Sequence, residues 1–189
     1  MTNPRIALIV GSNRRDSINR KLASALSKLV PQLDIDFVRI DDLPMFNQDL
    51  VSPLPHAVAQ FKNGIDRADG VIFVTPEHNR SIPAALKNAL DWAGLPGQNS
   101  WAEKPVFITG TSPGPIGGAL AQQHLRNVLG SFLGALVLGG EAYITFKPDL
   151  INEHGEIGDE STRNFLKSHL DRFSRLVARH LSVPERSAA

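Results

Sequence analysis

The chain has no cysteine. That excludes a disulfide scaffold, a thiol nucleophile, zinc–thiolate centres and cysteine-held iron–sulfur clusters. Neither sign of charge is in surplus: 20 Lys and Arg face 19 Asp and Glu, for a formal net charge of +1. There is thus no overall field to attract a polyanion, and no nucleic-acid partner is expected. Long apolar runs are missing too. The run Ile6–Val10 stops at Gly11, too short for the apolar region and cleavage site of a signal peptide. Nothing approaches the roughly 18 apolar residues of a membrane span, so a cytoplasmic protein without membrane contact is expected. Internal repeats and low-complexity segments are absent as well.

What remains is ordinary globular composition: 189 residues, 42% hydrophobic and 21% charged. A chain of this length buries roughly 70% of its unfolded surface, enough for one domain over 1–189. Short apolar runs alternate with amphipathic stretches. Strands are expected at Arg5–Val10, Ile35–Ile40, Gly70–Thr75, Pro105–Ile108 and Ala135–Leu138. Helices are expected at Ser17–Leu29, His56–Arg67, Ser81–Ala93, Ile116–Phe132 and Glu160–Leu181. The tail from about residue 183 onward is expected to fray. Such alternation predicts an α/β fold: a doubly wound, five-stranded parallel sheet with helices on both faces. Its strand order is either the flavodoxin-like 2-1-3-4-5 or a Rossmann-type order. In both, ligands bind beyond the carboxyl ends of the strands, which narrows the search to three loops.

The first loop, Gly11 to Asn19, is neither a P-loop nor Gly-x-Gly-x-x-Gly. It is rich in hydroxyls and arginine and opens a helix, whose free N–H groups and dipole favour an anion. Ser12, Ser17 and Asn19 add neutral donors, and Arg14 or Arg15 a charged one, which suits a phosphate monoester. The plain alternative is that Ser17 or Asp16 caps the helix and the arginines are solvated. The second loop, Thr75 to Pro83, is stiffened by Pro76 and Pro83 and carries Glu77, His78 and Asn79 where a flat ligand would sit. The six histidines are scattered, and no spacing supports a metal. The third loop, Thr109 to Gly118, has four glycines in ten residues, which permit close backbone approach. It lacks Gly-x-Ser-x-Gly, so serine-hydrolase chemistry is not expected.

Three stretches together resemble the NADPH-dependent FMN reductase family, the flavodoxin-like group that includes chromate, quinone and azo-dye reductases. They are Gly11-Ser12-x-Arg14-x-x-Ser17-x-Asn19; Thr75-Pro76-Glu77-His78-Asn79-Arg80-Ser81-Ile82-Pro83 running on through Leu86-Lys87-Asn88-Ala89-Leu90-Asp91-Trp92; and Ser112-x-Gly114-x-Ile116-Gly117-Gly118 with His124-Leu125-Arg126 downstream. The resemblance runs from about Arg5 to about Leu181. It implies the flavodoxin-like order 2-1-3-4-5 and bound FMN. Ser12, Arg14, Ser17 and Asn19 would hold the phosphate, Pro76, Glu77, His78 and Asn79 would line the isoalloxazine, and Ser112 and Gly114 would close its other side.

The resemblance further implies a ping-pong cycle with NADPH or NADH as donor and a small-molecule acceptor such as a flavin, quinone, chromate or azo compound. The hydride passes through flavin N5, so no catalytic side chain is required. Many relatives have Tyr where His78 and Arg80 stand here. His78 would pack its imidazole against the ring, and Arg80 at the mouth would attract an anionic donor or acceptor. With one Tyr and two Trp in the chain, few aromatics are available to sandwich a quinone. Family members are commonly homodimers or homotetramers, and Arg126 and Glu141 lie in segments that resemble the assembly region. The competing functions are a flavodoxin-type electron carrier, disfavoured by the near-neutral charge, and a non-catalytic flavin-binding protein, disfavoured by the retained first loop.

Overall fold

A computed structural model describes residues 3–183. The expected fraying of the tail concerns residues that, from 184 on, lie outside the described ones. The element order is β1 (Arg5–Val10), α1 (Ile18–Lys28), β2 (Asp34–Phe37), α2 (His56–Asp66), β3 (Gly70–Val74), α3 (Ala84–Ala93), β4 (Gly94–Leu95), β5 (Gln98–Asn99), β6 (Pro105–Ser112), α4 (Ala119–Arg126), β7 (Leu136–Val137), β8 (Tyr143–Thr145) and α5 (Glu160–Ser182). The main sheet is parallel in the order β2-β1-β3-β6-β7, and β8 also pairs β6. This is the flavodoxin-like order, with its fifth place shared by β7 and β8.

Side-chain alternation along the central strands divides the core in two. Ala7, Ile9, Val71, Phe73, Val106 and Ile108 face one way, against Phe61 and Ile65 of α2, Leu86 and Leu90 of α3, and Leu125 of α4. Ile6, Leu8, Val10, Ile72, Val74 and Phe107 face the other way, against Leu22 and Leu26 of α1 and Leu166, Leu170, Phe173 and Val177 of α5. Each helix thus presents one apolar stripe to the sheet. Both tryptophans lie in the core: Trp92 and Trp101 are fully buried, and each indole N–H reaches a backbone carbonyl.

Several boundaries differ from the expectation; the second strand, for one, ends at Phe37 and not at Ile40. Strand β6 runs on to Ser112, so Thr109–Ser112 belong to the sheet and not to the third loop. Their polarity hides this, but Thr109 and Thr111 are buried, and the Thr109 hydroxyl donates to the Ala142 carbonyl at 2.8 Å. The fourth helix begins at Ala119, and residues Asn127–Phe132 continue it as a wider π-helical turn. The third helix begins after Pro83, so Ser81 lies in the preceding turn. The fifth strand is interrupted: β7 pairs the start of β6 and β8 pairs its end. Side chains satisfy the carbonyls of the interruption. Arg126 donates to Leu138 and Gly140, Arg172 to Gly139, and Gln122 to Ala142. Arg126 is therefore engaged within its own chain. Glu141 accepts from the Gln123 amide at 2.7 Å.

Candidate active site

The carboxyl ends of β1, β3 and β6 deliver the first, second and third loops to one edge of the sheet. Gly11 continues from β1, and its N–H donates to the Val74 carbonyl at 2.9 Å, so the first two loops start side by side. The Thr75 N–H in turn donates to the Thr109 carbonyl at 3.0 Å, which joins the second loop to β6. Gly110 is required at this crossing: a Cβ there would stand 2.0 Å from the Thr75 carbonyl oxygen.

Within the first loop, Ser17 is buried and caps α1, its hydroxyl accepting from the Arg20 N–H at 3.3 Å. Ser12 accepts weakly from the Arg14 N–H at 3.4 Å, and the Arg20 guanidinium braces the loop at the Ser12 carbonyl. Asn13, Arg14, Arg15 and Asp16 are exposed. The first turn of α1 carries no acidic side chain. Its N–H groups therefore point out of a loop stocked with hydroxyl and guanidinium donors, the chemistry an anionic phosphate needs.

Asn19 behaves differently from its neighbours. It is 1% exposed, and its amide is committed to β6: Nδ2 donates to the Thr111 carbonyl at 2.9 Å, and Oδ1 accepts from the Thr111 N–H at 2.8 Å. On the β3 side, β6 has no paired residue beyond Thr109, and the Asn19 amide takes the place of the missing strand. What Asn19 offers a phosphate is its backbone N–H, not its side chain. Its amide locks the first loop to the base of the third.

Glu77 plays a similar part between the second and third loops. Helix α4 is preceded at its cap position by Gly118, which has φ +78° and no side chain to cap it. One Glu77 carboxylate oxygen fills that place, accepting from the Leu120 N–H at 3.0 Å and the Ala121 N–H at 3.3 Å. A second tie follows: the Ser81 hydroxyl and His124 Nδ1 lie 2.7 Å apart. Pro76 is half-buried, whereas His78, Asn79 and Arg80 are exposed at the turn. In the third loop, Ser112 accepts from the Gly114 N–H at 3.2 Å, and Gly117 and Gly118 take the positive φ values that lead into α4. Of the structural partners, Arg20 lies just outside the motifs, whereas Ser81, Thr111 and His124 lie within the quoted stretches with no role assigned to their side chains. Only Arg20 had a local signal, lying one turn after the capping serine.

The donor set fits FMN. The first loop presents hydroxyl, guanidinium and helix-end donors for a phosphate, and beside it stand two stiffened loops with exposed backbone. No partner for a serine nucleophile emerges, since His124 bonds a turn serine and has no carboxylate behind it among the described contacts.

Comparison with known proteins agrees with FMN as the cofactor. The profile of NADPH-dependent FMN reductases matches residues 4–149. A 2-hydroxy-1,4-benzoquinone reductase of a Burkholderia species is 46% identical over 92% of this chain and 96% of its own length. A quinone reductase of Pseudomonas putida is 41% identical over 94% and 97%. The flavoenzyme FerB, an NAD(P)H:(acceptor) oxidoreductase from Paracoccus denitrificans, superimposes with a TM-score of 0.89 at 42% identity, covering 94% of this chain and 98% of its own. The fold and site define a flavodoxin-like oxidoreductase. The chain belongs to the NADPH-dependent FMN reductase family, and it is an enzyme that uses FMN and NAD(P)H.

Proposed function

We propose that the protein reduces quinones by two electrons: NAD(P)H + H⁺ + quinone → NAD(P)⁺ + hydroquinone. The observation that carries this is the division of labour at the sheet edge. The first loop keeps its donors open, while Glu77 and Asn19 stiffen the walls beside it. Its likeness to two quinone reductases at 46% and 41% identity supports the acceptor class. FMN, when bound, supplies the two-electron relay between donor and acceptor, which removes the need for a side-chain nucleophile.

The protein's own residues bind and orient. Ser12, Arg14, the Ser17-capped end of α1 and the Asn19 N–H would hold the phosphate of FMN. Pro76, Glu77, His78 and Asn79 would form the wall along the isoalloxazine, mainly through backbone, and Ser112 and Gly114 would close the opposite side. A wall that does not move keeps donor and acceptor at reacting distance in turn. We further infer a cytoplasmic homodimer or homotetramer. Phe132 is 84% exposed, and Leu120 and Leu136 are also exposed, apolar surface that a subunit contact would cover. Sedimentation of the purified protein as a monomer would end that inference.

The test is anaerobic. Purified protein with flavin absorption bands should bleach on adding NADPH and recover one equivalent of oxidised absorbance per equivalent of 1,4-benzoquinone. Arg14→Ala should weaken FMN retention at least about tenfold, the order expected for one charge-assisted contact. Bands that bleach but do not recover with quinone would overturn the acceptor class and leave the family membership intact.

A further inference from the structure

The turn at the tip of the second loop holds a residue in an unfavourable conformation. His78 and Ser81 exchange backbone hydrogen bonds, N–H to carbonyl, at 2.9 Å in each direction. Between them Asn79 has φ +49° and Arg80 φ +66°. Two left-handed residues closed in this way make a type I′ turn, in which the second position strongly favours glycine. Asn tolerates the first position. Arg at the second is strained, and strain retained at a site mouth points to a role for the side chain that outweighs it.

The surroundings indicate what that role is. The Arg80 side chain is 72% exposed, and its one acidic neighbour among the described residues is Glu77, with Nη1 3.7 Å from Oε1. Glu77 is only 11% exposed and is pinned by its other oxygen to the start of α4. Its charge is thus shared with the positive end of a helix, which leaves the guanidinium incompletely neutralised. The result is a planar, two-pronged cation on a rigid turn, standing at the rim between the second and third loops.

A guanidinium fork suits two oxygens side by side in one plane. A quinone with a ring hydroxyl next to a carbonyl loses its proton readily, because it becomes a vinylogous carboxylate whose charge is shared with the carbonyl across the ring. The ionised oxygen and its neighbouring carbonyl oxygen still lie side by side in the ring plane, where the fork can hold both. We propose that Arg80 is a specificity-determining residue that selects quinones bearing an ionised hydroxyl beside the carbonyl. This rests on the quinone-reductase reading above.

The experiment compares 2-hydroxy-1,4-benzoquinone as its anion with neutral 1,4-benzoquinone at fixed NADPH, in the wild-type holoenzyme, Arg80→Gly and Arg80→Lys. The quantity read is the ratio of kcat/KM values, anionic over neutral, which cancels general damage to the enzyme. Arg80→Gly should lower the ratio about tenfold, as expected for loss of one charge-assisted pair. It should also raise the Tm by about 2–4 °C, because glycine relieves the strain. Arg80→Lys keeps the charge but not the fork and should fall between. An unchanged ratio in Arg80→Gly overturns the proposal while leaving quinone reduction standing. A rise in the KM for NADPH with the acceptor ratio unchanged also overturns it and assigns Arg80 to the donor. If the wild type reduces neither quinone, the reading beneath it fails first.

Discussion

The first and second loops leave the same edge of the sheet, and both are dense in polar side chains, yet they use them in opposite ways. In the first loop Asn13, Arg14 and Arg15 are exposed, and the end of α1 is capped locally by Ser17, three residues from the N–H it accepts. In the second, Glu77 reaches across 43 residues to cap α4, and Ser81 pairs with His124 at the same separation. The first leaves its donors open, as the proposed anion cradle requires. The second is a wall whose polar groups hold the scaffold together. Asn19 sits in the first loop by sequence but belongs with the second by behaviour, since its amide is wholly engaged with Thr111. A polar residue in a ligand-binding loop is thus a ligand contact only if nothing in the protein has already claimed it.

The sharpest way to break this comparison is Asn19→Ala. If the amide serves the fold, its removal strands the Thr111 N–H and carbonyl in a buried place, at a cost of about 3 kcal/mol. Urea denaturation of the flavin-free protein should show that loss. A flavin-free protein as stable as wild type would return Asn19 to the list of phosphate ligands. Next in size is Glu77→Ala, which leaves two N–H groups of α4 without their acceptor and removes a negative charge from a helix start. About 2 kcal/mol is expected, and Glu77→Gln should recover roughly half, because it restores an acceptor without the charge. Equal losses in the two variants would show that only the charge matters.

The legibility of the sequence follows the range of the interactions. Strand and helix positions were readable because period-two and period-3.6 apolar patterns are local, and most residues of the two core clusters fall on them. The Ser17 cap was readable for the same reason, lying three residues from the N–H it accepts. What escaped was set at long range. Thr109 and Thr111 look like loop residues until Ala142 and Asn19 supply their partners 33 and 92 positions away. The divided fifth strand has no local mark, because the arginines that satisfy it lie on α4 and α5. Glu77 left one indirect trace: Gly118 stands at the cap position of a helix and cannot cap it, so an acceptor had to come from elsewhere.

The smallest effect sharpens the comparison most, because it pits two caps of the same geometry against each other. Ser17→Ala should cost about 1 kcal/mol, and the cost should be the same at every pH, because a hydroxyl does not titrate in the accessible range. Asp159 caps α5, its carboxylate accepting from the Thr162 N–H at 2.6 Å. Hydrogen bonds from Thr162 hold the Asp159 carboxyl below the usual carboxylate range. Between the lowered folded value and the ordinary unfolded one, the unfolded chain binds more protons, so stability falls as the solution is acidified. The Asp159 contribution is therefore complete above the ordinary carboxylate range and vanishes as pH drops through the lowered value. Denaturation midpoints of Asp159→Ala should converge on wild type in acid, whereas those of Ser17→Ala should stay displaced. FMN affinity should separate the pair the other way, weakening for Ser17→Ala and unchanged for Asp159→Ala. A Ser17→Ala protein that binds FMN as tightly as wild type would mean that the cap shapes α1 without shaping the cradle.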